Sequence, residues 1–174
     1  VNVKSGSTIS CVKELDGKVL VQNEAGESYQ FDKVVVATPT TKIESFLDAD
    51  QFADDIALLK KFRFEDGELV IHTDQSAMPP KRKDWAVLSY MMDRNFTRQQ
   101  FTVWLNSVEP SLVGKSPIFQ TWRPVVDIDP KKVISSVKLT RAVVDSDTIA
   151  LNKELQERHK AADRKVYFCG SWSC

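Results

Sequence analysis

Residues 31–40 read Phe31-Asp32-Lys33-Val34-Val35-Val36-Ala37-Thr38-Pro39-Thr40, and they indicate a strand that ends at a ligand. Four consecutive apolar residues, three of them β-branched, predict a short strand that is buried on both faces. Pro39 has no backbone N–H and disfavours a helical conformation at Thr38, so the chain leaves the sheet sharply. Small side chains at this exit let a ligand approach the backbone. Thr38 and Pro39 are therefore the first candidate site residues.

The segments before this strand predict a β-meander. Residues 7–15 and 18–23 are extended segments on either side of Asp16-Gly17, which is a two-residue hairpin signal. A third segment follows the turn at Ala25-Gly26. Residues 29–37 then return to the sheet.

The pattern after Pro39 changes to short helices and then to a second set of strands. Apolar residues at helical spacing predict two short amphipathic helices, at 43–47 and 52–59. Alternating segments predict a larger, mainly antiparallel sheet with strands at 63–72, 86–92, 101–108, 118–122 and 133–144. Asp147-Thr148 predicts the start of a helix with one side formed by Ile149, Leu151, Leu155 and His159. Arg164 begins the final strand, so the predicted fold class is α+β.

Composition excludes several classes of partner. The 174 residues contain 24 Lys and Arg against 24 Asp and Glu, which gives no net field to attract nucleic acid or an anionic membrane. The basic cluster Lys81-Arg82-Lys83 is interpreted as a solvated loop, with a nuclear signal or a phosphate contact as the alternative. Three cysteines without a C-x-x-C pair indicate neither a disulfide framework nor a zinc site. We therefore expect no metal, no membrane span and a reducing, cytoplasmic location.

Six segments spread over almost the whole chain carry a resemblance to a known family. Residues 31–40 resemble the D-x-V-V-x-A-x-P strand of flavin-containing amine oxidases, whose Ala-x-Pro turn lies beside FAD. Five more segments resemble the amine-oxidase-like "predicted NAD/FAD-dependent oxidoreductase" family in the same order: His72-Thr73-Asp74 with Met78-Pro79, Lys81-Arg82-Lys83 with Trp85, Ser89-Tyr90, Thr102 to Asn106, and Val166 to Trp172.

This resemblance implies a two-domain FAD/NAD(P)-binding fold. Residues 1–40 and 164–174 would be parts of the FAD-binding domain, and residues 41–163 would form the substrate-binding domain, a mainly antiparallel sheet covering the flavin. The implied FAD contacts are Thr8 through its backbone, Ala37, Thr38, Pro39, Gly170, Ser171 and Trp172. The catalytic residue stays unknown, because a flavin carries the electrons itself and the protein supplies position and exclusion of water.

The phosphate-binding part of such a fold has no counterpart here. The family begins with a Rossmann unit whose G-x-G-x-x-G spacing does not occur among the six glycines, and the chain begins at Val1. Ser173-Cys174 also stands where the family has glycines. We therefore interpret the chain as a fragment that lacks the N-terminal Rossmann unit, and we expect it not to hold FAD by itself. Surfaces exposed around residues 34–37 and 166–172 would favour homo-oligomers.

Four residues are candidates for contact with a small-molecule substrate: His72, Tyr90, Trp104 and Trp122. His72 could be a general base oriented by Asp74, or part of an ordinary polar loop entry. The three aromatic residues could line a pocket over the flavin, or could be core and rim residues. Cys169 is interpreted as a buried, inert thiol, and His159 as a helix-surface residue.

A specific hypothesis concerns Trp104. Strand alternation places it with Thr102 and Asn106, a face too polar for a core but suited to a ligand. We expect this face to look toward flavin and substrate, with Tyr90 on the same side and Leu105 in the core.

Three classes of function follow. The favoured one is the substrate-binding part of an FAD-dependent oxidoreductase of the amine-oxidase-like type. The alternative is a non-catalytic β-sheet module that binds a small apolar ligand or a partner protein. A hydrolase has little support, because no G-x-S-x-G nucleophile elbow occurs.

Overall fold

A computed structural model describes residues 1–173 of the chain, and Cys174, the last residue of the predicted segment 164–174, lies outside the described residues. The strands in chain order are β1 (Ile9–Leu15), β2 (Lys18–Asn23), β3 (Ser28–Phe31), β4 (Val34–Val36), β5 (Phe64–His72), β6 (Leu88–Met92), β7 (Gln99–Trp104), β8 (Phe119–Trp122), β9 (Val133–Ala142) and β10 (Val166–Phe168). The α-helices are α1 (Ala53–Leu59) and α2 (Ser146–His159). Short 3-10 helices occupy Thr40–Ser45, Gln75–Ala77, Arg82–Asp84, Leu105–Ser107, Pro110–Leu112 and Pro130–Lys132.

The chain divides into two compact units. The first unit contains residues 1–64 and 142–173, and the second unit contains residues 65–141. This division differs from the predicted domain boundaries, which placed residues 41–64 and 142–163 with the substrate domain. The physical reason is a shared core, because Ile43 and Leu155 are buried in the same apolar cluster as Val36. The assignment of cofactor and substrate roles to the two units stays a prediction.

The first unit contains the predicted meander and a parallel strand pair. Strands β1, β2 and β3 pair antiparallel in that order, and the β1–β2 turn has positive φ at Asp16 (50°) and Gly17 (76°), as a two-residue hairpin requires. Strands β4 and β10 are parallel, with Val34 opposite Val166 and Val36 opposite Phe168.

Helices of the first unit follow the apolar pattern, with two differences. Helix α1 confirms the helix predicted at 52–59, whereas residues 40–45 form a 3-10 helix. The predicted cap of α2 is wrong by two residues. Asp145 caps it, because its carboxylate accepts the Thr148 N–H (3.0 Å) while the Thr148 hydroxyl accepts the Asp145 N–H (3.2 Å). The Thr148 N–H and the Arg63 guanidinium lower the pKa of Asp145 to about 2.

The second unit is one antiparallel sheet with strand order β6-β7-β8-β5-β9. Leu88 lies opposite Val103, Thr102 opposite Thr121, and Val70 opposite Thr121. The strand predicted at 101–108 begins two residues earlier and ends at Trp104, where a 3-10 helix starts. Both units together are α+β and mainly antiparallel, which confirms the predicted fold class.

Candidate functional site

The carboxyl ends of β4 and β10 form the first candidate site. Because the two strands are parallel, the segments that leave them, 37–39 and 169–172, start at the same edge. Ala37, Thr38 and Pro39 are exposed. The Trp172 indole Nε1 donates to the Thr38 carbonyl oxygen (3.0 Å), so the last turn holds the first exit in place.

Trp172 itself supports this turn from below. Its side chain is only 2% exposed and packs edge-to-face against Phe62, with 4.8 Å between ring centroids. Gly170 has φ 158°, and a Cβ there would overlap Trp172 Nε1, so this position requires glycine. The indole therefore positions the Thr38 backbone, and the exposed side chain of this turn is that of Ser171.

The turn after β10 closes on itself. Gly170 N–H donates to Ser173 Oγ (3.0 Å), and the Ser173 hydroxyl donates to the Gly170 carbonyl (2.9 Å). Cys169, which precedes this turn, is exposed. The prediction that Cys169 is a buried thiol is therefore wrong. Its N–H still donates to the Val36 carbonyl oxygen (3.0 Å), but its side chain lies at the end of the strand pair and is exposed.

A groove of about 620 Å³ lies beside the β4 exit, between the meander and β4. It brings together three predicted cofactor residues, Thr8, Ala37 and Thr38, whereas Pro39 and the residues of the 170–172 turn do not line it. Most of its lining side chains are apolar: Ile9, Val12, Val21, Phe31, Val34, Val35, Val36 and Phe46. The Thr8 carbonyl already accepts the Glu24 N–H (2.9 Å). The apolar lining suits a flat apolar ring.

The two edges of the β4–β10 pair differ. Side chains close the β10 edge, since the Phe168 N–H donates to His159 Nε2 (3.2 Å) and Arg164 Nε donates to the Val166 carbonyl (2.7 Å). The predicted surface role of His159 is wrong, because the ring is half-buried and burial, followed by the charge of Arg164, lowers its pKa. Within residues 1–173 no strand pairs with the other edge of β4, where Val35 is 62% exposed.

The second unit has one covered sheet face, which we call the closed face. It carries His72, Thr121, Thr102 and Gln100, each 0% exposed. His72 Nδ1 accepts a hydrogen bond from the Asp74 N–H (3.1 Å), so the ring proton is assigned to Nε2. His72 Nε2 then donates to Thr121 Oγ1 (2.8 Å). The Thr121 and Thr102 hydroxyls are 2.9 Å apart. Burial lowers the pKa of His72, so this network contains a neutral imidazole.

Of the two interpretations of His72, the structure does not show the one in which the Asp74 carboxylate orients the imidazole. That carboxylate caps the next turn and accepts the N–H groups of Ser76 (3.1 Å) and Asp129 (2.9 Å) and the Lys132 ammonium (3.1 Å). Burial alone would raise the pKa of Asp74, but these donors together hold it well below its usual range. The alternative interpretation, a polar loop entry, matches this geometry. Full burial keeps His72 away from any surface that a ligand could reach.

Trp104 and Tyr90 lie on opposite faces of the sheet, so the prediction that they share one is wrong. Tyr90 is opposite Phe101, and Ser89 is opposite Thr102. Residues that lie opposite each other share a face, so Tyr90 shares its face with Phe101, whereas Thr102 lies on the other face. Trp104 therefore lies on the closed face with Thr102. Its ring packs edge-to-face on Trp85 (5.3 Å between centroids), and its buried Nε1 has no hydrogen-bond partner among the described residues.

We call the other side of this sheet the open face. One row across it consists of Tyr90, Phe101, Trp122 and Leu69. Tyr90 is 67% exposed, whereas Trp122 is 4% exposed because the Arg141 guanidinium stacks over its ring. Arg141 and Phe101 are not among the residues that the sequence pattern predicts for a site, because strand spacing alone does not give the register that brings them together.

Two further classes of site are absent from the described part of the chain. No helix within residues 1–173 has the length and apolar content needed to cross a membrane. The same residues contain no group of three or more His, Cys, Asp or Glu side chains arranged to hold a metal ion.

Comparison with known proteins gives likeness of fold. No family model matches the sequence, and neither does any curated protein. Solved structures do match: a putative protoporphyrinogen oxidase from Exiguobacterium sp. 255-15 (TM-score 0.53, 9% identity, covering 95% of this chain), the CLA-producing fatty acid isomerase from P. acnes (0.52, 13%, 95%) and reduced UDP-galactopyranose mutase (0.58, 12%, 99%).

The chain spans 42% of each of these three structures. At identities of 9–13% the likeness shows the fold alone. It extends over nearly all of this chain, so both units belong to the shared architecture.

Proposed function

We propose that these residues are part of an FAD-dependent oxidoreductase of the amine-oxidase-like type. In this proposal the first unit contacts the cofactor and the second unit supplies the substrate-binding sheet. The observation that carries it is the exposed Ala37–Thr38–Pro39 exit, held by the Trp172 indole at the carboxyl ends of two parallel strands. Ligands of open α/β sheets bind at this end of the strands.

The groove beside this exit fits part of FAD. Its apolar walls suit a flat ring system, and Thr8 and Thr38, which also line it, carry hydroxyl groups that suit polar ring atoms. The described residues contain no glycine-rich loop leading into a helix that could hold the pyrophosphate. When bound, FAD supplies the transfer of electrons, while these residues bind it and exclude water from it.

The edge of β4 that stays unpaired within residues 1–173 supports the proposal that this chain is part of a larger protein. Parallel sheets are normally covered on both faces and contain more than two strands, so the edge of β4 that pairs with no strand of residues 1–173 suits one more strand. The fold is shared with an oxidase and with a mutase whose structure was determined in a reduced state, and the chain spans 42% of each. Both findings support the proposal that this chain alone does not retain FAD.

Two accompanying proposals concern the cellular compartment and the self-association of the chain. Cys11 and Cys169 are both free thiols, which supports a reducing, cytoplasmic compartment. The open β4 edge supports self-association of the isolated chain, and light scattering that shows only monomer at high concentration would contradict it.

A second candidate function rests on the open face of the second unit. An exposed apolar sheet face is a recognition surface whether or not a flavin is present. This observation favours a non-catalytic module that binds a small apolar ligand.

Measurement of bound flavin in the complete protein encoded with this chain tests the favoured proposal. We expect FAD to copurify with it and not with the 174 residues alone. Trp172→Phe, which removes the bond to the Thr38 carbonyl, should weaken FAD binding about tenfold. The matched control is Trp85→Phe, which removes an indole bond to the Pro79 carbonyl in the second unit and should leave FAD affinity unchanged. A complete protein that neither contains nor binds FAD would refute the proposal.

A further inference from the structure

The sheet of the second unit exposes apolar side chains on one face, and on the other it buries polar groups together with apolar ones such as Phe119 and Val70. Its closed face buries hydroxyl, amide and imidazole groups of Thr102, Thr121, Gln100 and His72. Its open face exposes Leu88 (42%), Tyr90 (67%) and Met92 (47%). A one-sided antiparallel sheet normally buries its apolar face and exposes its polar one. The exposed apolar face is therefore a binding surface, because folding does not use it.

Arg141 places a positive charge on this apolar face. Its guanidinium lies 5.0 Å from the ring centroid of Phe101 and 5.4 Å from that of Trp122. Gly67, on β5 between β8 and β9, makes room for this stack. A Cβ at Gly67 would lie 2.5 Å from Trp122 Cζ2. The guanidinium thus lies over two aromatic rings while the arginine remains exposed.

The charge of Arg141 is not balanced by an acid. Within residues 1–173 it has no salt bridge and no side-chain hydrogen bond. The Asp66 carboxylate accepts a hydrogen bond from the Thr140 hydroxyl, and the Glu68 carboxylate accepts one from the Ser136 hydroxyl. Thr140 and Ser136 alternate with Arg141 along β9, so these two acids lie on the same side of the sheet as the closed face.

The remaining acid on the open side of β5 is already paired. Glu65 is ion-paired with Arg123, whose side chain lies against Gly67. The open face consequently carries one unbalanced positive charge amid apolar side chains. An oppositely charged, otherwise apolar ligand would complement both properties.

We propose that the open face binds an apolar molecule that carries one carboxylate, with Arg141 as the anion-binding residue. The fork of N–H donors on guanidinium matches the two oxygens of a carboxylate. The single positive charge of Arg141 would neutralise only half of the charge of a phosphate dianion. The Glu65 carboxylate on the same face makes a dianion less favourable still. The apolar body lies on Leu88, Tyr90 and Val103, which flank the stacked rings. The binding of such a molecule to the open face is independent of the proposed function. Only its role as the substrate rests on the proposed function.

Calorimetric titration of the chain with decanoate, 1-decanol and decyltrimethylammonium, all below micelle-forming concentrations, tests this inference. We expect decanoate to bind about tenfold more tightly than decanol and the cation to bind most weakly. Arg141→Gln should remove the preference for decanoate and leave decanol binding unchanged. The matched control is Lys138→Gln on the same strand, at a position that alternates with Arg141, and it should keep the preference.

Equal affinity for decanoate and decanol in the unmodified chain would overturn the inference, and so would a preference that survives Arg141→Gln. Self-association that Tyr90→Ser abolishes would also overturn it, since the face would then bind a second copy. These outcomes are separable from the flavin experiment. A preference for decanoate without flavin in the complete protein would refute only the proposed function, and flavin without that preference would refute only the carboxylate site.

Discussion

The closed and open faces of the second-unit sheet use the same strands for opposite purposes. The closed face buries polar groups that satisfy one another out of water, such as His72, Thr121 and Thr102, together with the Phe119 ring. The open face consists of apolar groups in water around Arg141. Burying satisfied polar groups specifies one register, whereas exposing apolar area costs solubility without adding stability. The comparison indicates that stability depends on one face and recognition on the other.

The largest expected difference between the faces is in the cost of removing an aromatic ring. Phe119→Ala on the closed face removes a ring that is 0% exposed and should lower the free energy of unfolding by about 3–5 kcal/mol. Tyr90→Ala on the open face should change it by about 0.5 kcal/mol or less. Urea unfolding of both variants measures this, and similar losses would show that the open face also stabilises the fold.

This contrast marks where sequence reasoning succeeded and where it did not. The meander, the β4 exit and the antiparallel character of the second sheet follow from local patterns, such as Asp16-Gly17 and the valines before Pro39. The face of Trp104 depends on a register that pairs Tyr90 with Phe101, and a shift of one residue would reverse it. Alternation within one strand cannot provide that register. Arg141 was missed for the same reason.

The second prediction tests whether the closed-face hydroxyls act as a network. Thr121→Val keeps the side-chain shape but leaves the buried Nε2–H of His72 without its acceptor. We expect a loss of about 1–3 kcal/mol in the free energy of unfolding, the cost of an unsatisfied buried donor. Thr140→Val, at an exposed position on β9, is the control and should cost less than about 0.5 kcal/mol. Equal effects of the two substitutions would contradict a network.

The third prediction concerns acid. Burial lowers the pKa of His72 in the folded chain, so below its ordinary value of 6.5 the unfolded chain binds a proton that the folded chain does not. Stability should therefore be unaffected above that pH and should fall as pH drops toward the lowered folded pKa, by at most about 1.4 kcal/mol per pH unit. His159 also has a lowered pKa and adds to this slope.

His72→Gln separates the two histidines. Glutamine keeps an N–H donor near Thr121 but does not titrate, so the pH dependence of urea unfolding should become shallower. His159→Gln should leave the His72 contribution in place. A slope that His72→Gln does not change would show that the closed face tolerates an imidazolium.

The smallest expected effect compares two indoles that touch each other. Trp104 and Trp85 pack edge-to-face, but Trp85 Nε1 donates to the Pro79 carbonyl (2.8 Å), whereas Trp104 Nε1 is buried with no hydrogen-bond partner among residues 1–173. Trp85→Phe should cost about 1 kcal/mol more than Trp104→Phe, because it leaves a carbonyl unpaired while the other substitution removes a donor that is already unsatisfied. Both lose similar ring area, so the difference in their free energies of unfolding isolates the hydrogen bond. A larger loss for Trp104→Phe would mean that its N–H has a partner in solution, such as a bound water, and that the closed face is less dry than its side chains indicate.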